Sequence, residues 1–261
     1  MTLRINYREV RHCLYAIFLL MLPLFSSGNE QVRAWFKAGN EQYAKGKYQD
    51  AVLTYHKILN EGYFSSDLYF NLGNTYYKLE DIPSALLYYE KAYKLAPGDE
   101  DIKVNIQLAN LKTIDKVESV PSFFLATWWK SFILYFSVNT LTVFSILFIL
   151  SASVLLIVFL FAKAIFIKKC FFYLAISLLF FGVLSIFVMN RQVHYFASHT
   201  QAIIFTGAVT VKSEPESTSK SLFVIHKGTK VSIVDDQEEW MKIELPNGKV
   251  GWINTKDAQK I

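Results

Sequence analysis

The chain has 261 residues, 52% hydrophobic and 19% charged, with a formal net charge of +5; the two kinds must be segregated along the chain, because one uniform core does not hold both. Residues 119–199 carry five basic and no acidic residues, within or beside apolar stretches, whereas residues 200–261 carry eight of each, so the surplus charge marks membrane orientation and excludes a nucleic-acid-binding face. Two cysteines, Cys13 and Cys170, and five scattered histidines without i, i+4 spacing give no disulfide framework and no metal set, and no nucleophile lies beside a base, so neither a cofactor nor an enzymatic site is expected.

The first predicted element is an export signal. Arg4, Arg8 and Arg11 precede the apolar run Leu14–Phe25, and Ser26, Ser27 and Gly28 follow it, the order found in a secretory signal peptide. At about 1.5 Å per residue this run spans roughly 18 Å, short of a hydrocarbon core of about 30 Å. Residues 1–28 therefore read as a signal cleaved near Gly28, with an uncleaved short anchor as the alternative; either way Asn29 onward crosses the membrane.

Residues 29–118 repeat themselves. A shift of 34 positions superimposes Gly39 on Gly73, Ala51 on Ala85 and Tyr55 on Tyr89. Each unit reads as two amphipathic helices, broken near Gly46 or Asp81–Pro83, in which the glycine and the alanine let two backbones approach while the tyrosine fills the remaining volume. The units fall at about 32–65 and 66–99, and a capping helix is expected over 99–116 on the apolar series Ile102, Ile106, Leu108, Leu111 and Ile114.

This pattern resembles the tetratricopeptide repeat, the second unit through Leu72, Gly73, Tyr76, Ala85, Tyr89, Ala92 and Pro97. The resemblance implies an all-α domain that binds protein partners in a groove lined by the first helix of each repeat. On that basis the groove residues are Arg33, Phe36, Asn40 and Tyr43, then Asp67, Phe70, Asn71, Asn74, Tyr77 and Lys78. Asn40 and Asn71 match asparagines with which some members hold a ligand's terminal carboxylate. The matching basic positions here are Phe36, Asp101 and Asn105, which lack the cations of such a clamp. Ordinary repeat packing is the other reading of the two phenylalanines.

Two spans follow. No charge occurs from Ser131 to Ala162 or from Cys170 to Asn190, and each stretch supplies the roughly 20 apolar residues of a membrane-crossing helix. The expected spans are 139–162 and 170–190, around a loop at 163–169 whose Lys163, Lys168 and Lys169 place it in the cytoplasm and both flanking domains on the outer side. Trp128, Trp129 and Lys130 mark residues 119–138 as a segment lying along the membrane interface.

After Thr200 the pattern changes to short alternating runs, 207–212, 228–234, 240–244 and 249–253, separated by Asp235-Asp236 and Pro246-Asn247-Gly248, as in a small antiparallel barrel over 200–261. The order of these runs, ending in Gly251-Trp252-Ile253, resembles a bacterial SH3-type domain, which implies a cell-wall peptide or a protein as ligand. Trp240 and Trp252 suit either stacking on that ligand or core packing, and the acidic group Asp235, Asp236, Glu238 and Glu239 reads as a solvated turn. Taken whole, the fold class is a multidomain membrane protein: an all-α repeat domain, a two-helix transmembrane hairpin and a small all-β SH3-like barrel. That order resembles the aerotolerance-operon protein E (BatE) family. The resemblance implies a non-enzymatic bacterial inner-membrane scaffold with both soluble domains periplasmic. Its implied partners are other Bat membrane proteins, some bearing von Willebrand A-type domains, and indirectly an AAA-type ATPase, in tolerance of oxygen or envelope stress. Membrane lipid is a further expected partner and nucleic acid is not; a cell-wall sensor acting through the SH3-like domain is the alternative.

Overall fold

A computed structural model describes residues 30–117 and 123–261; the expected export signal at 1–28 and part of the expected interfacial segment lie outside the described residues. The N-terminal part is helical: α1 (Glu30–Ala44), α2 (Tyr48–Asn60), α3 (Ser66–Lys78), α4 (Ile82–Leu95) and α5 (Glu100–Asn110). Side-chain caps set three of the starts. Ser65, Asp81 and Asp99 accept bonds from the backbone N–H of Leu68, Ser84 and Ile102, satisfying donors that a helix start leaves orphaned. Within each pair the glycine is required by space. A Cβ on Gly39 or Gly73 would lie 2.4 Å from the ring of Tyr55 or Tyr89, and both tyrosines are 1% exposed.

The capping helix ends at Asn110 instead of residue 116. The Thr113 hydroxyl donates to the Asn110 carbonyl, the Lys116 ammonium donates to the carbonyls of Asn110 and Leu111, and the chain leaves the helix for the sheet. Next come α6 (Phe124–Ile133), α7 (Val138–Phe161) and α8 (Ile165–Ser198). Both α7 and α8 are long and apolar enough to cross a membrane. They pack on small residues, with Ser145 and Ala152 buried on one helix and Ala175, Gly182 and Ser185 on the other, which lets the backbones approach. The expected loop at 163–169 is mostly helix, because α8 begins at Ile165 and carries Lys168 and Lys169 in its first turns. At its other end α8 runs eight residues beyond the apolar stretch, to Ser198: the change to polar residues ends the apolar zone and not the helical propensity.

The C-terminal part is an antiparallel sheet of β1 (Gln201–Ile204), β2 (Ala208–Lys212), β3 (Ser221–His226), β4 (Lys230–Asp236), β5 (Trp240–Glu244), β6 (Val250–Asn254) and β7 (Ala258–Lys260), in the order β3-β2-β6-β5-β4-β1-β7. Strands β1 to β6 all contribute to one buried cluster, including Ala202, Val211, Ile225, Val231, Met241 and Ile253, so the sheet curls around its own core. The strands β1, β3 and β7 were not among the expected runs. Ser221–His226 has no clean alternation, and Gln201–Ile204 is nearly all apolar because all but its first residue is buried.

All parts meet at the open end of the hairpin. Ile203 of β1 is fully buried among Ala85, Leu86 and Leu87 of α4 and Ala109 of α5, with Phe205 and Ile261 beside it. The Lys230 ammonium lies 2.7 Å from Glu90, whose side chain is 4% exposed, and Lys94 donates to the Ile261 carbonyl at 2.7 Å. Tyr93 of α4 packs edge-on against Phe196 of α8 at 6.3 Å, beside Ile133, Leu141 and Val188. The turn at Ala162–Ala164 lies about 36 Å away along the 24 residues of α7.

Candidate functional site

The first helices of the repeats, α1, α3 and α5, are joined by a ladder of amides. Asn40 Oδ1 accepts from the Tyr55 hydroxyl at 2.7 Å and from Asn71 Nδ2 at 3.0 Å. One repeat further on, Asn74 Oδ1 accepts from the Tyr89 hydroxyl and from Asn105 Nδ2, both at 2.8 Å. Burial first, then the neighbouring Tyr43, pushes the Tyr55 hydroxyl up to about 12, so it stays a donor at neutral pH. Each acceptor oxygen thus uses both of its lone pairs, which fixes the amide orientation. The Asn71 and Asn105 amide nitrogens also lie against the Tyr55 and Tyr89 hydroxyls, which leaves the side-chain carbonyl oxygen of each as an acceptor suited to a peptide N–H.

Apolar contacts run beside this ladder. Phe36 packs against Tyr55 with centroids 6.2 Å apart, and Phe70 against Tyr89 at 5.9 Å. Both phenylalanines are half-buried, so each braces the tyrosine that fills the glycine gap and still presents surface. A cavity of about 410 Å³ opens where α1 meets the start of α3, lined by Phe36, Phe64, Tyr63, Asn40, Arg33 and Lys37 among others, with Asp67 at its edge. Tyr63 is 45% and Phe64 65% exposed, an aromatic wall supplied by the turn between the repeats.

Of the residues expected in the groove, Arg33, Phe36, Asn40 and Asp67 line that cavity, and Phe70, Asn71 and Asn74 follow along α3. Tyr43 instead packs edge-on against Tyr48 at 5.4 Å within the first repeat. Tyr77 is half-buried under the Lys112 ammonium, 4.3 Å from its ring centroid, and Lys78 is exposed in the last turn of α3. Sequence reasoning overlooked Lys37, Phe64 and the part played by Asn105. The last was detectable, since Asn40 and Asn74, like Asn71 and Asn105, lie 34 apart.

On the sheet, Met241, Ile243 and Ile253 point into the core, whereas Trp240, Lys242 and Trp252 occupy the alternate, outer positions of β5 and β6. Trp240 pairs with Asn254 and Lys242 with Trp252, the Lys242 ammonium standing 5.8 Å from the Trp252 centroid. Both tryptophans are half-buried and neither belongs to the core, so core packing does not account for them. The acidic group at 235–239 is a turn: Asp235 accepts from Asp236 N and from Gln237 Nε2, and Asp236 pairs with Lys260. Among the described residues no group of three His, Cys, Asp or Glu side chains is arranged to hold a metal ion.

The linker that follows α5 is fastened to the sheet. Asp115 accepts from the backbone N–H of His226 at 2.6 Å and from the Thr229 hydroxyl at 2.6 Å, and its other oxygen lies 2.9 Å from His226 Nδ1. Burial raises the Asp115 carboxyl, but the bonds from Thr229 and His226 together outweigh it and hold the group below its ordinary value.

Two family models match the chain. Residues 66–99 match the tetratricopeptide repeat, and residues 207–258 match the bacterial SH3 domain. No curated protein matches the chain. Among solved structures, an NlpC/P60 family protein from Bacillus cereus is similar over 28% of this chain and 23% of its own length, with 17% identity and a TM-score of 0.21. The chain thus contains a tetratricopeptide repeat, two long apolar helices and a bacterial SH3 domain, in that order.

Proposed function

We propose that this chain is a non-enzymatic membrane-anchored adaptor, whose α1, α3 and α5 face binds an extended segment of a partner protein. The observation that carries this reading is the amide ladder, which joins three helices into one face and leaves the side-chain carbonyl oxygens of Asn71 and Asn105 as acceptors for a peptide N–H beside Phe36 and Phe70. The anchor is the hairpin. Its closed end carries Lys163, Lys168 and Lys169, and its open end meets both soluble parts, so positive-inside orientation puts both outside the cytoplasm. Domain order and content support an adaptor of the aerotolerance-operon type in the bacterial inner membrane, with other Bat membrane proteins as partners.

A photo-reactive amino acid at Phe36 or Asn71 in the full chain, irradiated in native membranes, is expected to capture a discrete protein. The same group at Leu53, on the exposed side of α2, is expected to capture none. Equal capture from both positions sinks the groove. A second reading, attachment to cell-wall peptide, is favoured by the outward Trp240 and Trp252 beside Lys242. It requires the detergent-solubilised full chain to sediment with purified cell-wall sacculi and W240A/W252A to lose that sedimentation.

A further inference from the structure

A cleft of about 830 Å³ lies between α6 and the last turns of α8, and its rim is cationic. Lys130 of α6 and Arg191 of α8 carry its charge, and the His194 and His199 rings line it beside them. Residues 119–199 contain no acidic side chain, and Glu90 on the adjoining α4 is already paired with Lys230. The positive charge of the cleft is therefore uncompensated from within its own segment.

The walls are aromatic and in part fixed. The Lys130 ammonium stands 5.4 Å from the Tyr195 ring centroid, and the His199 ring stacks on that same tyrosine at 4.5 Å. The end of a helix ordinarily repels an anion through its last carbonyls. Here the Ser198 hydroxyl donates to the His194 carbonyl and the His199 backbone N–H to the Tyr195 carbonyl, which occupies two of them.

Depth selects the ligand. Lys130 is the last charge before the uncharged stretch 131–162, and Arg191 the first after 170–190, so both mark the edge of one apolar layer. Ile133, buried against Val188, forms the floor on that side, and the exposed Trp129 lies in the belt that indole rings prefer. Across α6, Trp128 and Phe132 border an apolar cavity of about 470 Å³ with Phe144, Phe148 and Phe181. A cationic rim at the layer edge, next to apolar surface on the same helix, fits a ligand that carries a phosphate and acyl chains together.

We propose that this cleft binds the phosphate of an anionic phospholipid headgroup, with Lys130 and Arg191 as its counter-charges. The proposal rests on α7 and α8 being membrane spans. Free phosphate offers the same chemistry without the chains, and the test separates the two sources. The full chain, purified in detergent, is mixed with phosphatidylglycerol, phosphatidylcholine or inorganic phosphate, and retained ligand is read by native mass spectrometry.

Wild type is expected to retain phosphatidylglycerol over phosphatidylcholine, with retention falling about fivefold for each charge removed in K130Q and R191Q. K130R/R191K is expected to keep it, and unchanged thermal unfolding of the glutamine variants excludes loss of fold. Equal retention by wild type and K130Q/R191Q overturns the site, and displacement of the lipid by equimolar inorganic phosphate overturns the lipid assignment. Recovery of the chain in the soluble fraction without detergent overturns the spans themselves, an outcome distinct from a membrane-bound chain that shows no lipid preference.

Discussion

Tyr55 and Tyr89 show how one side chain serves packing and polarity at once. Each ring fills the gap over a glycine, and each hydroxyl is spent on an asparagine of the first helix. Gly73→Ala would add about 1 kcal/mol of helix propensity yet force a methyl into the Tyr89 ring, so a net loss of about 2 kcal/mol is expected in urea unfolding of the helical signal. His56 offers a pH test. Its ring lies 3.0 Å from the Tyr76 hydroxyl, and burial, then Lys91, lowers its pKa. The unfolded chain therefore takes up a proton that the folded chain resists. Stability from this group is complete above about pH 6.5 and is lost as pH falls through that value towards the lower folded one. Thermal unfolding against pH should show this slope, and His56→Phe should flatten it.

Among elements, the linker from Thr113 to Val117 has the clearest separate role, because it ties the helical part to the edge of the sheet. Asp115→Ala removes a carboxylate that receives bonds from His226 and Thr229, for an expected loss of about 2 kcal/mol. Trypsin cleavage after Lys116 should accelerate in that variant, and exchange of the His226 amide should rise; unchanged cleavage would show that the linker is held by other contacts. Although the caps at Ser65 and Asp99 emerged only with the structure, the helices were legible in sequence from apolar periodicity and the breaks near Gly46 and Asp81–Pro83. The strand Ser221–His226 was not, since a segment with one buried residue and several exposed apolar ones gives no alternation to detect.

At the scale of the whole molecule, the sheet takes a position on the end of the helical array. Ile203 is buried against α4 and α5, so the sheet covers apolar surface at that end of the array, a place a further helix would take in a longer stack. The Glu90–Lys230 pair lies in this junction. Lys230→Met would strand a carboxylate that is 4% exposed, and an expected loss of about 2 kcal/mol should be largely recovered by adding Glu90→Gln. The same junction holds the helical array and the sheet together at one end of the α7–α8 pair, which under the proposed anchoring puts both on one side of the membrane. Accordingly Lys163→Cys should resist a membrane-impermeant maleimide in intact cells, while Lys227→Cys should react; reaction at both positions would refute the orientation.

The sequence alone determined the order of the modules, the repeat and the location of the basic surplus, because periodicity, apolar run length and charge are properties of neighbouring residues. It also pointed to Phe36, Asn40, Phe70 and Asn71 as one face. Only the tertiary structure decided that Asn40 and Asn74 are spent on tyrosines, that Trp240 and Trp252 face outward, and that Lys130 meets Arg191 and His199 across a cleft. Those outcomes depend on which segments pack together: Asn40 and Tyr55 sit on different helices, and Lys130 and Arg191 stand 61 positions apart, a separation that leaves no periodic trace in the chain.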